Sequence, residues 1–152
     1  MPNASMKRTY LLFVLILHTF SYDSYSQTAA EMNYNTFDEF LEEQNSKIAQ
    51  IKSGLNKAEV VNIMGDEIIV KIPKVGKKKP LKQLFKQPEF LNEYNGNSTR
   101  KIKILWYFST PKDQNGIISK GECTPVIIEN DSVVGKGWLF FNNYRKRVPL
   151  RN

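Results

Sequence analysis

Histidine and cysteine are almost missing from this chain of 152 residues, which has one of each, His18 and Cys123. A single cysteine has no partner for an intrachain disulfide, and a single histidine cannot complete the usual Cys/His ligand sets of zinc sites. Nucleophilic pairs of the Ser-His or Cys-His kind would depend on His18 alone. We therefore expect no metal site and no cofactor.

Long apolar runs are also missing. Residues 10–17 are largely apolar and follow the basic pair Lys7-Arg8, but they fall far short of the roughly 20 residues that span a bilayer. A basic head, a short apolar middle and the small polar end Ser-Tyr-Ser are typical of a secretory signal peptide. We predict a signal peptide over residues 1–26, which removes His18 on export to the periplasm or beyond. No cysteine follows the predicted cleavage site, so we expect neither a lipid anchor nor a transmembrane segment.

An unpaired cysteine in an exported protein has several possible roles. Cys123 opens the segment "CTPVIIE", and its thiol could be reactive, could pair with another chain, or could be a small apolar side chain in the core. Free cysteine is among the most buried residue types. We interpret Cys123 as a structural core residue.

Positive charge is concentrated in the middle of the chain. The net charge is +7, yet residues 27–66 hold seven acidic and three basic residues, whereas residues 71–103 hold ten basic and two acidic. In "KVGKKKPLKQLFK" lysines interleave with leucine and phenylalanine, which suits an anionic surface such as lipid headgroups or lipopolysaccharide. A solvated basic loop is the alternative. The candidate contacts are Lys77, Lys78, Lys79 and Lys82.

Nucleic acid is not expected as a partner of this basic segment. An exported protein has little access to nucleic acid. The segment also relies on lysine, which lacks the bidentate phosphate geometry of arginine. An envelope protein or an anionic envelope surface is the expected partner.

Two helices are predicted after a flexible leader over residues 27–35. From Thr36 onward apolar residues recur at helical spacing, and acidic residues crowd the first turns. The second helix lies in "GLNKAEVVNIMG", where Asn56 and Glu59 have the spacing of a capping box. Gly65 suits the left-handed position that closes a helix. We assign Asn56, Glu59 and Gly65 structural roles.

Alternating patterns then predict an antiparallel sheet. "EIIVKIP", "RKIKILWYFS", "CTPVIIE" and "SVVGKGWLFF" alternate as strands do, and Asn130-Asp131 joins the last two as a hairpin. Residues 74–99 have no clean period and are expected to form a long basic excursion with a helical turn over 81–85. The fold class is α+β, with two N-terminal helices on one face of a three- to four-stranded antiparallel sheet. This two-layer sandwich covers residues 36–141, and residues 142–152 are expected to be a basic tail.

Aromatic residues in the predicted strands fall on both faces of the sheet. Trp106 and Tyr107 are neighbours, so alternation sends them to opposite faces. Because the helices cover one face, we expect Trp106 in the core and Tyr107 on the open face, where exposed aromatics often bind partners. Alternation does not assign Trp138 to a face, and it is kept with Tyr107 as a candidate binding residue.

Carboxylates form no evident catalytic pair. Asp113, Glu122, Glu129 and Asp131 lie in or beside predicted turns, and no spacing fixes two of them at the separation that glycoside hydrolysis requires. "DQNG" begins like a calcium loop, but the later oxygen ligands do not follow in register. We interpret these acids as solvated turn residues and expect no enzymatic activity.

The order of these motifs resembles the BamE-like fold. Three segments carry this resemblance: "IKSGLNKAEVVNIMG", the strand with Trp106-Tyr107, and the hairpin ending "VVGKGW". A family of uncharacterised envelope proteins related to BamE is similar over the segment "NGIISKGECTPVIIENDSVVGKGW". The resemblance covers residues 48–141, with 74–99 fitting worst. It implies an envelope protein of a diderm bacterium with a binding or scaffolding role. Two features depart from the pattern: the lipid-acceptor cysteine of many relatives is missing, and Asp66-Glu67 replaces the usual proline.

These patterns together predict an exported, non-enzymatic envelope module. It would bind a protein or another envelope component through its open sheet face and its basic excursion. The first alternative is a secreted proteinaceous enzyme inhibitor, because β-lactamase inhibitor proteins also resemble this fold. The second alternative is a hydrolase that works without histidine.

Overall fold

The computed structural model describes residues 30–72, 76, 78–95, 100–112 and 117–150. The predicted signal peptide, residues 1–26, lies outside the described residues, as does the beginning of the predicted leader. The elements follow in the order β1 (Ala30–Asn33), α1 (Phe37–Gln50), α2 (Lys57–Met64), β2 (Ile68–Ile72), β3 (Leu81–Phe85), β4 (Phe90–Asn95), β5 (Lys101–Phe108), a 3₁₀ turn (Lys120–Glu122), β6 (Cys123–Glu129), β7 (Ser132–Lys136) and α3 (Trp138–Arg147). The α+β class is confirmed, and the end of the expected leader is a strand, β1.

Side chains cap the first two helices. At the start of α1, the Glu39 N–H donates to Thr36 Oγ1 at 3.2 Å. At α2, the Glu59 N–H donates to Asn56 Oδ1 at 2.9 Å, and the Asn56 N–H donates to Glu59 Oε2 at 2.7 Å. The predicted capping box is therefore present. Gly65 ends α2 with a φ of 79°, a conformation that favours glycine.

The strands form two sheets where a single sheet was predicted. A three-stranded sheet has the order β1-β2-β3, with β1 parallel and β3 antiparallel to β2, and a four-stranded antiparallel sheet has the order β4-β5-β6-β7. The expected excursion over residues 74–99 supplies β3 and β4, and the helical turn expected over 81–85 is strand β3. Strand β3 has apolar side chains on both faces, with Leu81 and Phe85 on one face and Leu84 on the other. Its sequence therefore lacks the apolar–polar alternation that predicts a strand.

Apolar residues cover both faces of the four-stranded sheet. On one face, Trp106 belongs to a core that includes Phe85 of the three-stranded sheet and Phe141 of α3. On the other face, Tyr107 belongs to a core that includes Met64 of α2. Trp106 is 4% exposed, as predicted for a core residue, but Tyr107 is 0% exposed. The prediction of an open face at Tyr107 is wrong, because elements pack on both sides of β5.

The chain continues into a third helix where a strand and a tail were expected. The predicted strand "SVVGKGWLFF" stops at the end of β7, Gly137 turns the chain with a φ of 84°, and α3 begins at Trp138. Tyr144 is buried, and its hydroxyl donates to Glu129 Oε2 at 2.8 Å. Residues 142–147 are therefore helical and packed on the core, which corrects the expected basic tail.

The predicted hairpin between β6 and β7 is present. Asn130 and Asp131 have φ values of 49° and 65°, as the two central residues of a tight hairpin turn require. The Lys101 N–H donates to Asn130 Oδ1 at 3.0 Å, and the Asn130 N–H donates to the Lys101 carbonyl at 2.9 Å. These bonds tie the turn to the start of β5.

Candidate functional site

The three-stranded sheet has one face in the core and the other in solvent. Val70 of β2 is buried, so alternation places its neighbours Ile69 and Lys71 on the opposite face. The antiparallel register sets Ile69 opposite Leu84 and Lys71 opposite Lys82. Leu84 is 47% exposed, although it is an apolar residue in a strand. This face therefore presents an apolar pair beside a pair of lysines.

One acidic side chain lies beside these lysines. Glu31 of β1 contacts Lys71 Nζ through Oε2, and its Oε1 lies 3.4 Å from Lys82 Nζ. The hydrogen bond from Lys71 holds the pKa of Glu31 below its usual value, so this carboxylate is ionised at neutral pH. One carboxylate between two ammonium groups leaves a positive surplus. We call the following set the outer face: Glu31, Ile69, Lys71, Lys82 and Leu84.

Further lysines flank the outer face along the chain. Lys78 and Lys79 are exposed just before β3, and Lys86 is exposed just after it. Within the described part of the chain their ammonium groups have no ion-pair partner, whereas Lys82 shares Glu31. Of the predicted binding lysines, Lys78, Lys79 and Lys82 thus lie on or beside one sheet face, and Lys77 lies outside the described residues.

The predicted aromatic contacts do not join this surface. Tyr107 is buried in the core, and Trp138, 40% exposed, opens α3 on the four-stranded sheet. The outer-face residues that the sequence prediction did not name are Ile69, Lys71 and Glu31. The alternation in "EIIVKIP" does indicate Ile69 and Lys71, because these residues occupy the strand positions between the core residues.

A pocket lies where β5 ends and β6 begins. Its volume is about 360 Å³. Its walls come from the segment after β5, from the 3₁₀ turn with the start of β6, and from the first residue of α3: Ser109, Thr110, Lys112, Gly121, Glu122, Cys123, Thr124 and Trp138. The pocket is therefore built from three separate segments of the chain.

Glu122 holds one wall of the pocket together. It is 3% exposed, and its Oε1 accepts from the Lys112 N–H at 2.9 Å. Its Oε2 accepts from both the N–H and the Oγ of Ser119, each at 2.9 Å. The carboxylate is thus bound by neighbouring donors, and the solvated turn position expected for Glu122 is wrong.

Cys123 belongs to the same wall. It is 1% exposed, and its Sγ donates to the Ser119 carbonyl at 3.4 Å. Burial raises the pKa of the thiol to about 12, and the carboxylates of Glu89 and Glu122 add to the effect. The thiolate is the nucleophilic form of cysteine, so a thiol held neutral in this way is unreactive at physiological pH.

Trp138 forms the apolar wall of the pocket in a fixed orientation. Its Nε1–H donates to the Cys123 carbonyl at 2.9 Å. Its ring centroid lies 5.4 Å from that of Trp106 and 5.7 Å from that of Phe141. These contacts hold the indole while leaving part of it in solvent. The arrangement suits binding through an aromatic surface.

The described ranges hold neither a metal-ligand cluster nor a helix able to cross a bilayer. Among the described residues, no group of three or more histidine, cysteine, aspartate or glutamate side chains is placed to hold a metal ion. None of the helices in these ranges has both the length and the apolar character needed to cross a bilayer.

A family model matches most of the chain. It carries the description "Protein of unknown function (DUF3192)" and covers residues 22–143. The match contains both the outer face and the pocket. No curated protein and no solved structure matches the chain.

Proposed function

The chain belongs to the DUF3192 family, and we propose that it is an exported, non-catalytic envelope module that binds a phosphate-bearing lipid surface. The outer face of the three-stranded sheet is the binding surface in this proposal. One observation carries it: on this face the apolar pair Ile69 and Leu84 lies beside the lysine pair Lys71 and Lys82.

The combination of lysine and exposed apolar side chains suits a lipid headgroup region. Lysine can lay its aliphatic stem on apolar surface while its ammonium group reaches a phosphate. Leu84 could enter the boundary between headgroups and acyl chains, where amphipathic surfaces bind. The flanking Lys78, Lys79 and Lys86 extend the positive charge beyond what Glu31 offsets.

Export is part of the proposal and rests on the N-terminal pattern. A basic head, a short apolar run and a Ser-Tyr-Ser end precede the described residues. The capped helix α2 and the meander β5-β6-β7 also agree with the resemblance to the BamE-like fold, which we keep as part of the proposal. An envelope location would bring the outer face close to lipid phosphates.

The absence of catalysis is proposed from the state of the polar groups around the pocket. The Cys123 thiol is held neutral, and the Glu122 carboxylate accepts hydrogen bonds from neighbouring donors. A base catalyst needs a free proton-accepting group within reach of substrate. These two groups instead stabilise the wall in which they lie.

Co-sedimentation with vesicles tests the proposal. The exported chain should sediment with phosphatidylglycerol vesicles and remain in solution with phosphatidylcholine vesicles. Replacing Lys78, Lys79 and Lys82 by glutamine should lower the affinity about 100-fold, since each lysine near an anionic surface contributes about 1 kcal/mol. Raising the salt concentration should weaken binding of the wild-type chain, because salt screens these charges. The same binding measurement with lipopolysaccharide micelles distinguishes lipopolysaccharide from phospholipid as the source of the phosphate groups.

The matched control removes three other exposed lysines and changes the net charge equally. Lys52 is exposed just after α1, Lys101 at the start of β5, and Lys146 in α3. Their replacement by glutamine should leave most of the binding intact. Equal losses from the two triple variants would show a response to net charge alone, and failure of the wild-type chain to bind either anionic lipid would overturn the proposal.

A further inference from the structure

We propose that the pocket beside Trp138 binds a small organic acid that carries one carboxylate on an apolar body. The carboxylate faces Lys112, and the body lies against the indole of Trp138. This site is separate from the outer face and does not depend on lipid binding. The pocket volume of about 360 Å³ falls at the lower end of the range for small-molecule sites, about 300–1,000 Å³, which limits the ligand to a small one.

Lys112 supplies the positive charge. Its side chain is exposed, and its Nζ lies 3.4 Å from the position that a Cβ on Gly121 would occupy. The ammonium group thus lies over the wall formed by Gly121. It has no ion-pair or hydrogen-bond partner among the described residues. A carboxylate in the pocket would provide one, and hydrogen bonds between charged groups are the stronger ones.

A hydroxyl pair supplies a second polar contact. Ser109 Oγ and Thr124 Oγ1 lie 2.8 Å apart, so one of them donates to the other. The hydroxyl that accepts in this pair keeps its own hydrogen for another acceptor. Ser109 and Thr124 both line the pocket, and Ser109 is 6% exposed. A ligand carboxylate is an acceptor of the required kind.

Glu122 limits the charge of the ligand. Its buried carboxylate is in the wall, bound by the N–H groups of Lys112 and Ser119. The ammonium of Lys112 and this carboxylate together leave little net positive charge. A singly charged carboxylate is therefore favoured over phosphate, which is a mixture of singly and doubly charged forms at neutral pH.

Trp138 selects the body of the ligand. Its indole is 40% exposed, and the hydrogen bond to the Cys123 carbonyl fixes its orientation. A fixed aromatic surface binds apolar and aromatic groups at little entropic cost. An aryl or alkyl carboxylate can therefore satisfy Lys112 and cover the indole at once.

The two tryptophans of the chain provide the readout. In a nitrogen-15 spectrum each gives one indole N–H signal, and Trp138→Phe identifies which signal belongs to Trp138. Titration with phenylacetate should shift that signal saturably. The neutral analogue phenylacetamide and inorganic phosphate should each bind at least about tenfold more weakly. Lys112→Gln should weaken phenylacetate binding about tenfold, the effect of losing a charge-assisted contact.

Lys101→Gln is the matched control. It removes one exposed lysine at the opposite end of β5 and should leave the titration unchanged. The dispersion of the amide signals reports whether each variant is folded. Absence of a shift with phenylacetate, equal binding of phenylacetamide or phosphate, or unchanged affinity in a folded Lys112→Gln variant would each overturn the proposal.

Discussion

Glu89 lies half-buried at the bend that links the two sheets. Its N–H donates to the Trp106 carbonyl at 2.9 Å, and its Oε1 accepts from the Lys86 N–H at 3.0 Å. Burial raises the pKa of this carboxyl from 4.5 to about 7; the bond and charge of Lys86 oppose the rise, and Glu67 adds to it. The folded chain therefore binds a proton that the unfolded chain releases near pH 4.5.

The first prediction follows from the sign of this shift. Because the Glu89 pKa is higher in the folded chain, protonation of this carboxyl favours the folded state. Its contribution to the free energy of unfolding is fully present below the unfolded-state pKa of 4.5, and it is lost as the pH rises through the folded-state pKa of about 7. Glu89→Gln keeps the acceptor oxygen and removes the charge. Urea unfolding at pH 5.5 and pH 8.5 should show the variant gaining stability relative to wild type at the higher pH. Parallel pH dependence of the two proteins would contradict this account.

Tyr107 shows what alternation alone cannot predict about a residue. The pattern correctly separates Tyr107 from Trp106 across the strand. The expectation that Tyr107 faces solvent rests on a covering layer over only one face of the sheet. The hydroxyl is instead buried with no partner among the described residues. Helix α2 covers the Tyr107 face through Met64, whereas β3 and α3 cover the Trp106 face through Phe85 and Phe141, and the pattern did not reveal this second layer.

At the scale of elements, the junction between β7 and α3 depends on two glycines with different functions. Gly137 adopts a positive φ and turns the chain into the helix. Gly135 is needed for space, because a Cβ on it would lie 2.5 Å from ring carbons of Phe140. The ring of Phe140 thus lies directly on the backbone of β7. The motif "VVGKGW" marks the start of a helix as well as the end of a hairpin.

The second prediction tests this contact. Gly135→Ala should destabilise the protein by about 1–3 kcal/mol, the usual cost of overpacking. The same change in a Phe140→Ala background should cost much less, since the clashing ring is gone. Gly121→Ala is the control, because its Cβ would meet Lys112 Nζ at an ordinary 3.4 Å. Equal costs with and without the Phe140 ring, measured by denaturant unfolding, would contradict the packing argument.

Elements with a strong local signal were predictable and those with a mixed signal were not. The capping box at Asn56 and the hairpin at Asn130-Asp131 use side chains whose local bonds define the structure. The strand β3 has apolar residues on both faces, so its period is hidden. The helix α3 has no capping side chain at Gly137 and follows β7 without a loop. The sequence pattern therefore predicted that the strand continues through the first turn of this helix.

At the scale of the whole molecule, β3 and β4 make the middle of the chain part of the two sheets, where the sequence predicted a loop. The basic segment that reads as a loop becomes an edge strand of the three-stranded sheet and an edge strand of the four-stranded sheet. Lysines expected on a loop therefore lie on a sheet face with Ile69 and Leu84. The candidate surface could be predicted as a basic segment, but its apolar component depends on strand pairing between distant residues. The pocket could not be predicted, because three separate segments form it.

Hydrogen–deuterium exchange measured by mass spectrometry tests the central claim, that the outer face contacts anionic lipid. Phosphatidylglycerol vesicles should slow exchange in peptides that cover residues 78–86, because the free edge of β3 and its flanking lysines become covered. Peptides that cover β6 and β7, residues 123–136, should exchange at the same rate with and without vesicles. Phosphatidylcholine vesicles should change neither set. Protection over residues 123–136 with none over 78–86 would contradict the account.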